Sequence, residues 1–296
     1  MKVLLTGSSG FLGGFIKSSF VDYEVFELNR NSGNYHYSLE NEIPQFEHHF
    51  DLIIHSAGKA HSVPKTQIEK QAFYDINVKG TANLLEALKK TGLPNQFVFI
   101  SSVSVYGLEE GKNIDESYPL LAKDAYGISK IEAEKLVQKW CNDNQVVCTI
   151  LRLPLLVGKN PPGNLGAMVK AINKGYYFNI GGGTAKKSMV LGKDIAPFIS
   201  AVASVGGIYN LTDGVHPNFK ELSLAISKNK KGKVNLPLSI AIMVGKIGDL
   251  LGDKAPINSL KVKKITSDLT FDDAKARELL NWKPESVLNY LKTESL

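Results

Sequence analysis

Tyr126 and Lys130 stand four residues apart in Ala125–Asn142, a segment that reads as helix, so a phenol and an ammonium share one helical face. A tyrosine with its ordinary pKa near 10 moves protons poorly at neutral pH. An ammonium ~4 Å away, at an effective dielectric of ~20, favours the phenolate by about 4 kcal/mol, roughly three pKa units as an upper bound. The expectation is a tyrosine brought close to neutrality, where general acid–base chemistry is efficient. The same spacing occurs on many surface helices, so the pair needs its surroundings.

Those surroundings are a row of hydroxyls and a glycine turn. The strand Gln96–Ser101 runs into Ser102, Val103, Ser104, Val105, Tyr106 and Gly107. In an open parallel sheet, ligands sit beyond the carboxyl ends of the strands. A serine there can hydrogen-bond a substrate oxygen while the tyrosine moves the proton; the alternative is that these serines satisfy strand-end backbone groups. At the N-terminus, Thr6-Gly7-Ser8-Ser9-Gly10-Phe11-Leu12-Gly13 follows the apolar strand Lys2–Leu5 without a gap. Three glycines spaced by three allow a sharp turn and a close approach to a pyrophosphate, with the helix from Phe11 aiming its positive end at the phosphates. This order predicts a dinucleotide cofactor.

The elements that position these groups alternate. Strands at Lys2–Leu5, Tyr23–Leu28, Leu52–His55, Gln96–Ser101 and Val146–Leu151 are interleaved with helices at Phe11–Phe20, Ala72–Thr91 and Ala125–Asn142. The pattern predicts an α/β fold: a Rossmann-type, doubly wound parallel sheet with right-handed crossovers. After Arg152 the rhythm breaks at Pro154, Pro161-Pro162 and Gly181–Gly183. A smaller, discontinuous C-terminal substrate lobe is therefore expected. Residues 1–153 would form the dinucleotide-binding domain with a return segment at about 187–205, and 154–186 with 206–296 the lobe.

Composition narrows the classes. The chain has 296 residues, 43% of them apolar, enough for a large core. Two cysteines, Cys141 and Cys148, without ligand-like histidines nearby imply neither a disulfide framework nor a metal site, and a cytoplasmic, reducing compartment is expected. A net charge of +6 without a reading motif gives no reason to expect nucleic acid. The lysine-rich run 228–233 reads as a solvated loop. The apolar stretch Leu236–Leu251 is shorter than the ~20 residues of a spanning helix and carries Lys246 and Asp249. It reads as a soluble amphipathic helix with no membrane span, membrane-surface contact being the alternative.

Glycine turn, serine strand and tyrosine–lysine pair, in this order, resemble an extended short-chain dehydrogenase/reductase of the sugar-nucleotide epimerase/dehydratase family. The resemblance also covers His55-Ser56-Ala57-Gly58, Asn77-Val78-Lys79-Gly80-Thr81, Arg152-Leu153-Pro154 and Asn281-Trp282-Lys283-Pro284. It implies catalytic roles for Ser102, Tyr126 and Lys130. Around the cofactor it implies Gly7, Ser9, Gly10, Phe11, Leu12 and Gly13 at the turn, Ala57, Gly58 and Lys59 along the ribose and pyrophosphate, Asn77 near the active site, and Pro154 beside the nicotinamide. For the substrate it implies Asn164 and Leu165 at the nucleotide sugar, Ser104 near the sugar, and Lys187 at the diphosphate. There lysine keeps the charge of the usual arginine but loses its fork. His61, in Lys59-Ala60-His61, resembles a segment of a subgroup acting at C4 of UDP-N-acetylhexosamines; loop packing is its alternative. Asp194 matches a position expected to be structural.

At the adenine end, Asn29 stands where members that prefer NAD carry an aspartate, and Arg30 follows it; Ser38-Leu39 replaces another acidic position. An arginine accepts a 2′-phosphate, so NADP is expected ahead of NAD. Dehydratases of the family carry an acidic pair where Val103 and Ser104 stand, so elimination of water is not expected. The resemblance leaves a 4-ketoreductase of UDP-4-keto sugars, favoured here through Arg30, and a UDP-hexose 4-epimerase with retained NAD. An idle dinucleotide sensor is a third reading, disfavoured because both Tyr126 and Lys130 are kept. Pairing into a homodimer through Ala72–Thr91 and Ala125–Asn142 is also implied.

Overall fold

The computed structural model describes residues 1–60, 62–228, 235–251 and 258–296. Its centre is a seven-stranded sheet of β1 (Lys2–Thr6), β2 (Glu24–Asn29), β3 (Tyr35–His36), β4 (Leu52–His55), β5 (Gln96–Ser102), β7 (Val147–Leu153) and β11 (Gly207–Asn210), in the order β11-β7-β5-β4-β1-β2-β3. Every pairing in it is parallel. Helices α1 (Phe11–Ser19), α2 (Gln67–Tyr74), α3 (Gly80–Thr91), α4 (Ala125–Asp143) and α6 (Gly192–Val202) cover it. This is the doubly wound Rossmann arrangement.

Alternation along β1 shows how both faces are closed. Val3 and Leu5 pack with Leu12 and Ile16 of α1 and Ile195, Ile199 and Val202 of α6. Leu4 packs on the other side with Leu84, Leu85 and Leu88 of α3 and Val137 and Trp140 of α4. A strand buried on both sides needs an unbroken apolar run, which Val3-Leu4-Leu5 supplies.

Short strands build the periphery: β6 (Gly111–Ile114) pairs with β13 (Leu269–Phe271), β8 (Leu155–Val157) with β10 (Met189–Leu191), and β9 (Asn179–Ile180) with β12 (Asn235–Leu236). Around them lie α5 (Gly163–Asn173), α7 (Phe219–Ile226), α8 (Leu238–Leu251), α9 (Ser259–Thr266), α10 (Ala274–Leu280) and α11 (Val287–Thr293). Leu165, Met168 and Ile172 of α5 share a core with Leu222 of α7 and Val287 and Leu291 of α11.

Two expectations change. The helix read over Ala72–Thr91 is α2 and α3 joined by a π-helical turn, Asp75–Lys79. The extra residue that such a turn accommodates is a common device at functional sites. The return to the sheet runs past 205: β10 pairs outside the main sheet with β8, while β11 adds to its edge through β7. Of the lysine-rich run 228–233, everything after Lys228 lies outside the described residues.

Candidate active site

The chain leaves β1 toward β2 on one side and reaches β4 on the other, so the sheet's switch point lies between β1 and β4. Gly7, at φ +71°, turns the chain there; a Cβ on it would stand 2.7 Å from the Ala57 amide nitrogen. Gly13 touches the Gly7 carbonyl so closely that a Cβ would collide with it. Gly10 begins α1 in extended conformation, and no side chain caps the helix. The first-turn amides of Phe11 and Leu12 are thus left for an outside acceptor, as a pyrophosphate-binding turn requires. Phe11 itself packs edge-on against Phe15, at 5.4 Å between ring centroids, and Leu12 is core. The cradle fits a dinucleotide.

Behind the cradle runs a buried relay. The Ala57 N–H donates to Thr6 Oγ1 (3.1 Å), which meets His55 Nδ1 at 2.7 Å. His55 Nε2 lies 2.9 Å from Thr81 Oγ1, which donates to the Asn77 carbonyl at 2.6 Å. Thr81 spends its proton on the Asn77 carbonyl, so His55 Nε2 carries a hydrogen and donates to Thr81. Burial, helped by the charge of Lys130, pushes its pKa down to about 3.

Asn77, in the π turn, is almost wholly buried. Its Oδ1 accepts from the Lys59 N–H at 2.7 Å, and its Nδ2 donates to the Lys59 carbonyl (3.1 Å) and to Ser129 Oγ (2.9 Å). The side chain therefore clamps the loop after β4 onto α4. Gly58 lies against it, where a Cβ would sit 3.1 Å from Asn77 Oδ1 and 3.9 Å from Lys130 Nζ.

Ser102, Ser104, Tyr126 and Lys130 converge beyond the ends of β5 and β7. Ser102 Oγ lies 3.1 Å from Ser104 Oγ and accepts from the Ser104 N–H at 3.2 Å. Ser102 also hydrogen-bonds the Tyr126 phenol, which lowers the phenol's pKa, but burial is the larger effect and leaves it above its ordinary value. The downward pull expected from Lys130 is not what this geometry delivers. Lys130 Nζ donates to the Ile100 carbonyl at 2.6 Å and stands 4.2 Å from the Phe99 ring centroid, and burial lowers its own pKa to about 8. Lys130 is buried and Tyr126 half-buried, and the ammonium is solvated by the strand end rather than by the phenol.

Beneath this cluster lies a network that the residue pattern did not disclose. Glu134, one turn beyond Lys130, pairs with Arg152 at 2.8 Å, both nearly inaccessible, and takes the Ser101 hydroxyl at 2.5 Å. Arg152 Nη1 donates to Tyr106 Oη, which donates to Asn210 Oδ1 at 2.8 Å. The signal for it was the i, i+4 continuation Tyr126, Lys130, Glu134; its partners on β5, β7 and β11 are distant in sequence.

At the adenine end, Asn29 is occupied. Its Oδ1 accepts from the Ser9 N–H and hydroxyl, each at 3.2 Å, and its Nδ2 donates to Ser8 Oγ at 2.7 Å. Arg30 points to the Glu40 carboxylate at 2.8 Å, so it already has a counter-ion. The Ser38 N–H donates to Glu42 Oε1 at 2.9 Å; Leu39 is buried and its carbonyl accepts from Asn83 Nδ2 at 2.7 Å. The Ser38–Leu39 segment thereby sets Glu40 against Arg30.

The expected substrate residues are spread wider. Pro154 links β7 to β8. Asn164 is exposed in the first turn of α5, while Leu165 belongs to the lobe core. Lys187 bridges to Leu269, is half-buried with its pKa lowered by burial, and feels Glu109, Asp268 and Lys264. Asp194 Oδ2 accepts from the Glu285 N–H at 2.9 Å, a structural contact. His61 lies outside the described residues.

Residues 3–212 match the NAD dependent epimerase/dehydratase family. The chain belongs to it. Members of the family resemble the chain over nearly its whole length. The N-acetyl-alpha-D-glucosaminyl-diphospho-ditrans,octacis-undecaprenol 4-epimerase of Escherichia coli O157:H7 is 30% identical over 93% of this chain and 88% of its own. The UDP-glucose 4-epimerase of Vibrio cholerae is 27% identical over 97% and 92%. Two solved structures share the fold: UDP-glucose 4-epimerase from Thermotoga maritima with UDP-glucose (22% identity, 99% and 96% of the chains, TM-score 0.76), and RMD from Pseudomonas aeruginosa complexed with NADPH (21%, 98% and 96%, TM-score 0.73). As a family member the chain is an NAD(P)-dependent enzyme.

Proposed function

We propose that the chain is a 4-epimerase, acting at C4 of a hexose or N-acetylhexosamine carried on a diphosphate. The observation that carries this reading is the Arg30–Glu40 pair. Arg30 was the ground for preferring NADP and a reductase, and a guanidinium that already holds a carboxylate attracts a 2′-phosphate weakly. With that ground removed, the full-length likeness to 4-epimerases supports this reading over the reductase. The diphosphate bears a nucleoside, UDP by the family resemblance, or a polyprenol, as in the name of the E. coli relative.

In this reading Ser102 hydrogen-bonds the C4 oxygen and Tyr126, its neighbour, takes the hydroxyl proton as phenolate and later returns it; burial disfavours that form, and the positive charge of a bound oxidised nicotinamide would favour it. NAD, when bound, supplies the acceptor and donor of the C4 hydride. Gly7, Gly10 and the first-turn amides of Phe11 and Leu12 hold its pyrophosphate, and Lys130 presents its ammonium one helical turn from the phenol. Asn77 positions rather than reacts, since its side chain is spent on Lys59 and Ser129. Val103 and Ser104 provide no acid–base pair for elimination.

The second reading, a 4-ketoreductase using NADPH, keeps one support: the GDP-6-deoxy-D-mannose reductase of Pseudomonas aeruginosa is 38% identical, though over only 47% of each chain. Denaturing freshly purified protein and identifying the released dinucleotide separates the two. Retained NAD, with interconversion of C4 epimers and no net consumption of cofactor, is the expected result. Stoichiometric oxidation of added NADPH by a 4-keto sugar nucleotide, with no epimerisation, would establish the reductase instead.

A further inference from the structure

The buried ion pair Glu134–Arg152 grips the hydroxyl-bearing turn at both of its ends. Glu134, on α4, takes the Ser101 hydroxyl at 2.5 Å, immediately before Ser102. Arg152, on β7, donates from Nη1 to the Tyr106 phenol oxygen at 3.2 Å, and Tyr106 closes the short helical turn Val103–Tyr106 that carries Ser104. The two partners are joined by Arg152 Nη2 to Glu134 Oε2 at 2.8 Å and by Nε to both carboxylate oxygens, at 3.2 and 3.3 Å. Tyr106 is fixed further by stacking on Phe271 of β13, at 5.5 Å between centroids. On the helix side, Gly127 lies so close to the turn that a Cβ would stand 2.9 Å from the Ser104 carbonyl oxygen. The residues on either side of Ser101 are those that meet the reactive pair. The Ile100 carbonyl accepts from Lys130 Nζ, and Ser102 hydrogen-bonds the Tyr126 phenol.

We propose that this ion pair is a positioning brace for the reaction: it holds both ends of the turn bearing Ser102 and Ser104 in register with the helix that carries Tyr126 and Lys130, a deepening that rests on the 4-epimerase reading. Glu134 and Arg152 act here through Ser101 and Tyr106, not on the substrate. A buried ion pair is commonly no more stabilising than packed apolar side chains of similar volume. What it adds is direction, because a carboxylate shared between a guanidinium fork and a hydroxyl fixes the angle and distance of both. The reaction is sensitive to that direction: a group displaced by ~1 Å costs about a hundredfold in rate. The brace bears on Lys130 as well. Glu134 stands one helical turn from it, and its carboxylate favours the ammonium against burial, while His55 is a second ionisable neighbour. At Tyr126 the charged neighbour is Asp124, at the start of α4, whose carboxylate opposes ionisation of the phenol. Ser102 pulls the other way, so its placement matters most.

The test leaves the ion pair whole and cuts its two grips singly. Ser101→Ala removes the hydroxyl that Glu134 holds, and Tyr106→Phe removes the phenol oxygen that Arg152 holds. Each is expected to lower kcat about tenfold, with KM for the sugar and dinucleotide affinity within about twofold of wild type, and to move the acid limb of the pH–rate profile to higher pH. In a Ser102→Ala background neither should cost more than about twofold further, because the brace acts through that hydroxyl. A second readout needs no substrate. Spectrophotometric titration of the Tyr126 phenol, taken as the difference between each protein and the same protein carrying Tyr126→Phe, should shift to higher pH in both variants, as in Ser102→Ala. If turnover reveals a different reaction but the titration shifts, the brace stands and the 4-epimerase reading falls. Wild-type kcat with an unshifted titration in Ser101→Ala overturns the brace. So do losses that multiply fully with Ser102→Ala alongside a lowered thermal midpoint, since the network is then structural alone.

Discussion

Arg30 and Glu40 form an ion pair at 2.8 Å, just past the carboxyl end of β2. Arg30 is more than half exposed, so the pair is worth at most about 1 kcal/mol in itself. Its consequence is for selectivity. A freed guanidinium gains a charge-assisted hydrogen bond to a 2′-phosphate, a contact worth roughly 1.5–3 kcal/mol. Glu40→Gln removes a competitor worth at most about 1 kcal/mol, so it should strengthen NADPH binding by up to about fivefold while leaving NADH nearly unchanged. Arg30→Asp should reverse the gain. Fluorescence titration of both cofactors against the three proteins checks this, and an unaltered NADPH affinity in Glu40→Gln would show that Arg30 does not reach the phosphate.

Tyr126→Phe should lower turnover by roughly a hundredfold or more and leave dinucleotide binding intact, because only the proton carrier is removed. Ser102→Ala has a sharper signature. The Ser102 hydrogen bond is what opposes the burial-driven rise of the phenol's pKa. Its loss should move the acid limb of the pH–rate profile, where the phenol must shed its proton to act as base, to higher pH as well as slowing the reaction. A profile that keeps its midpoint in Ser102→Ala would detach Ser102 from the tyrosine.

His55 makes stability depend on pH. Its folded pKa, about 3, lies below the ordinary value of 6.5, so between those limits the unfolded chain binds the extra proton. The contribution is complete above pH 6.5 and is lost as pH falls toward 3, at up to about 1.4 kcal/mol per unit. Urea midpoints at pH 7 and 4.5 should show wild type losing this stability. His55→Gln should be weaker at pH 7, having lost the Thr6 and Thr81 contacts, but flatter with pH.

Glu134→Ala should cost about 3–5 kcal/mol, since it leaves Arg152 charged and buried without its carboxylate. Glu134→Ala combined with Arg152→Met should recover part of that loss. Denaturant unfolding of the single and double variants decides, and additivity of the two would mean that the pair is not coupled.

The order of elements was legible because its cause is local. An apolar run such as Val3-Leu4-Leu5 can serve only a strand covered on both faces, and glycines at 7, 10 and 13 mark a turn that no Cβ fits. The helical spacing of Tyr126 and Lys130 likewise depends on nothing outside α4. What the lysine does there was decided by tertiary structure. The Ile100 carbonyl and the Phe99 ring reach Lys130 from another element, and desolvation outweighs the pull that spacing alone suggests. The same holds for Arg30, whose carboxylate partner is placed by the turn after Ser38-Leu39. Local pattern states which groups are present and how they repeat along an element. Direction, pairing and solvation arise where elements far apart in sequence meet, and there the electrostatics of the site are set.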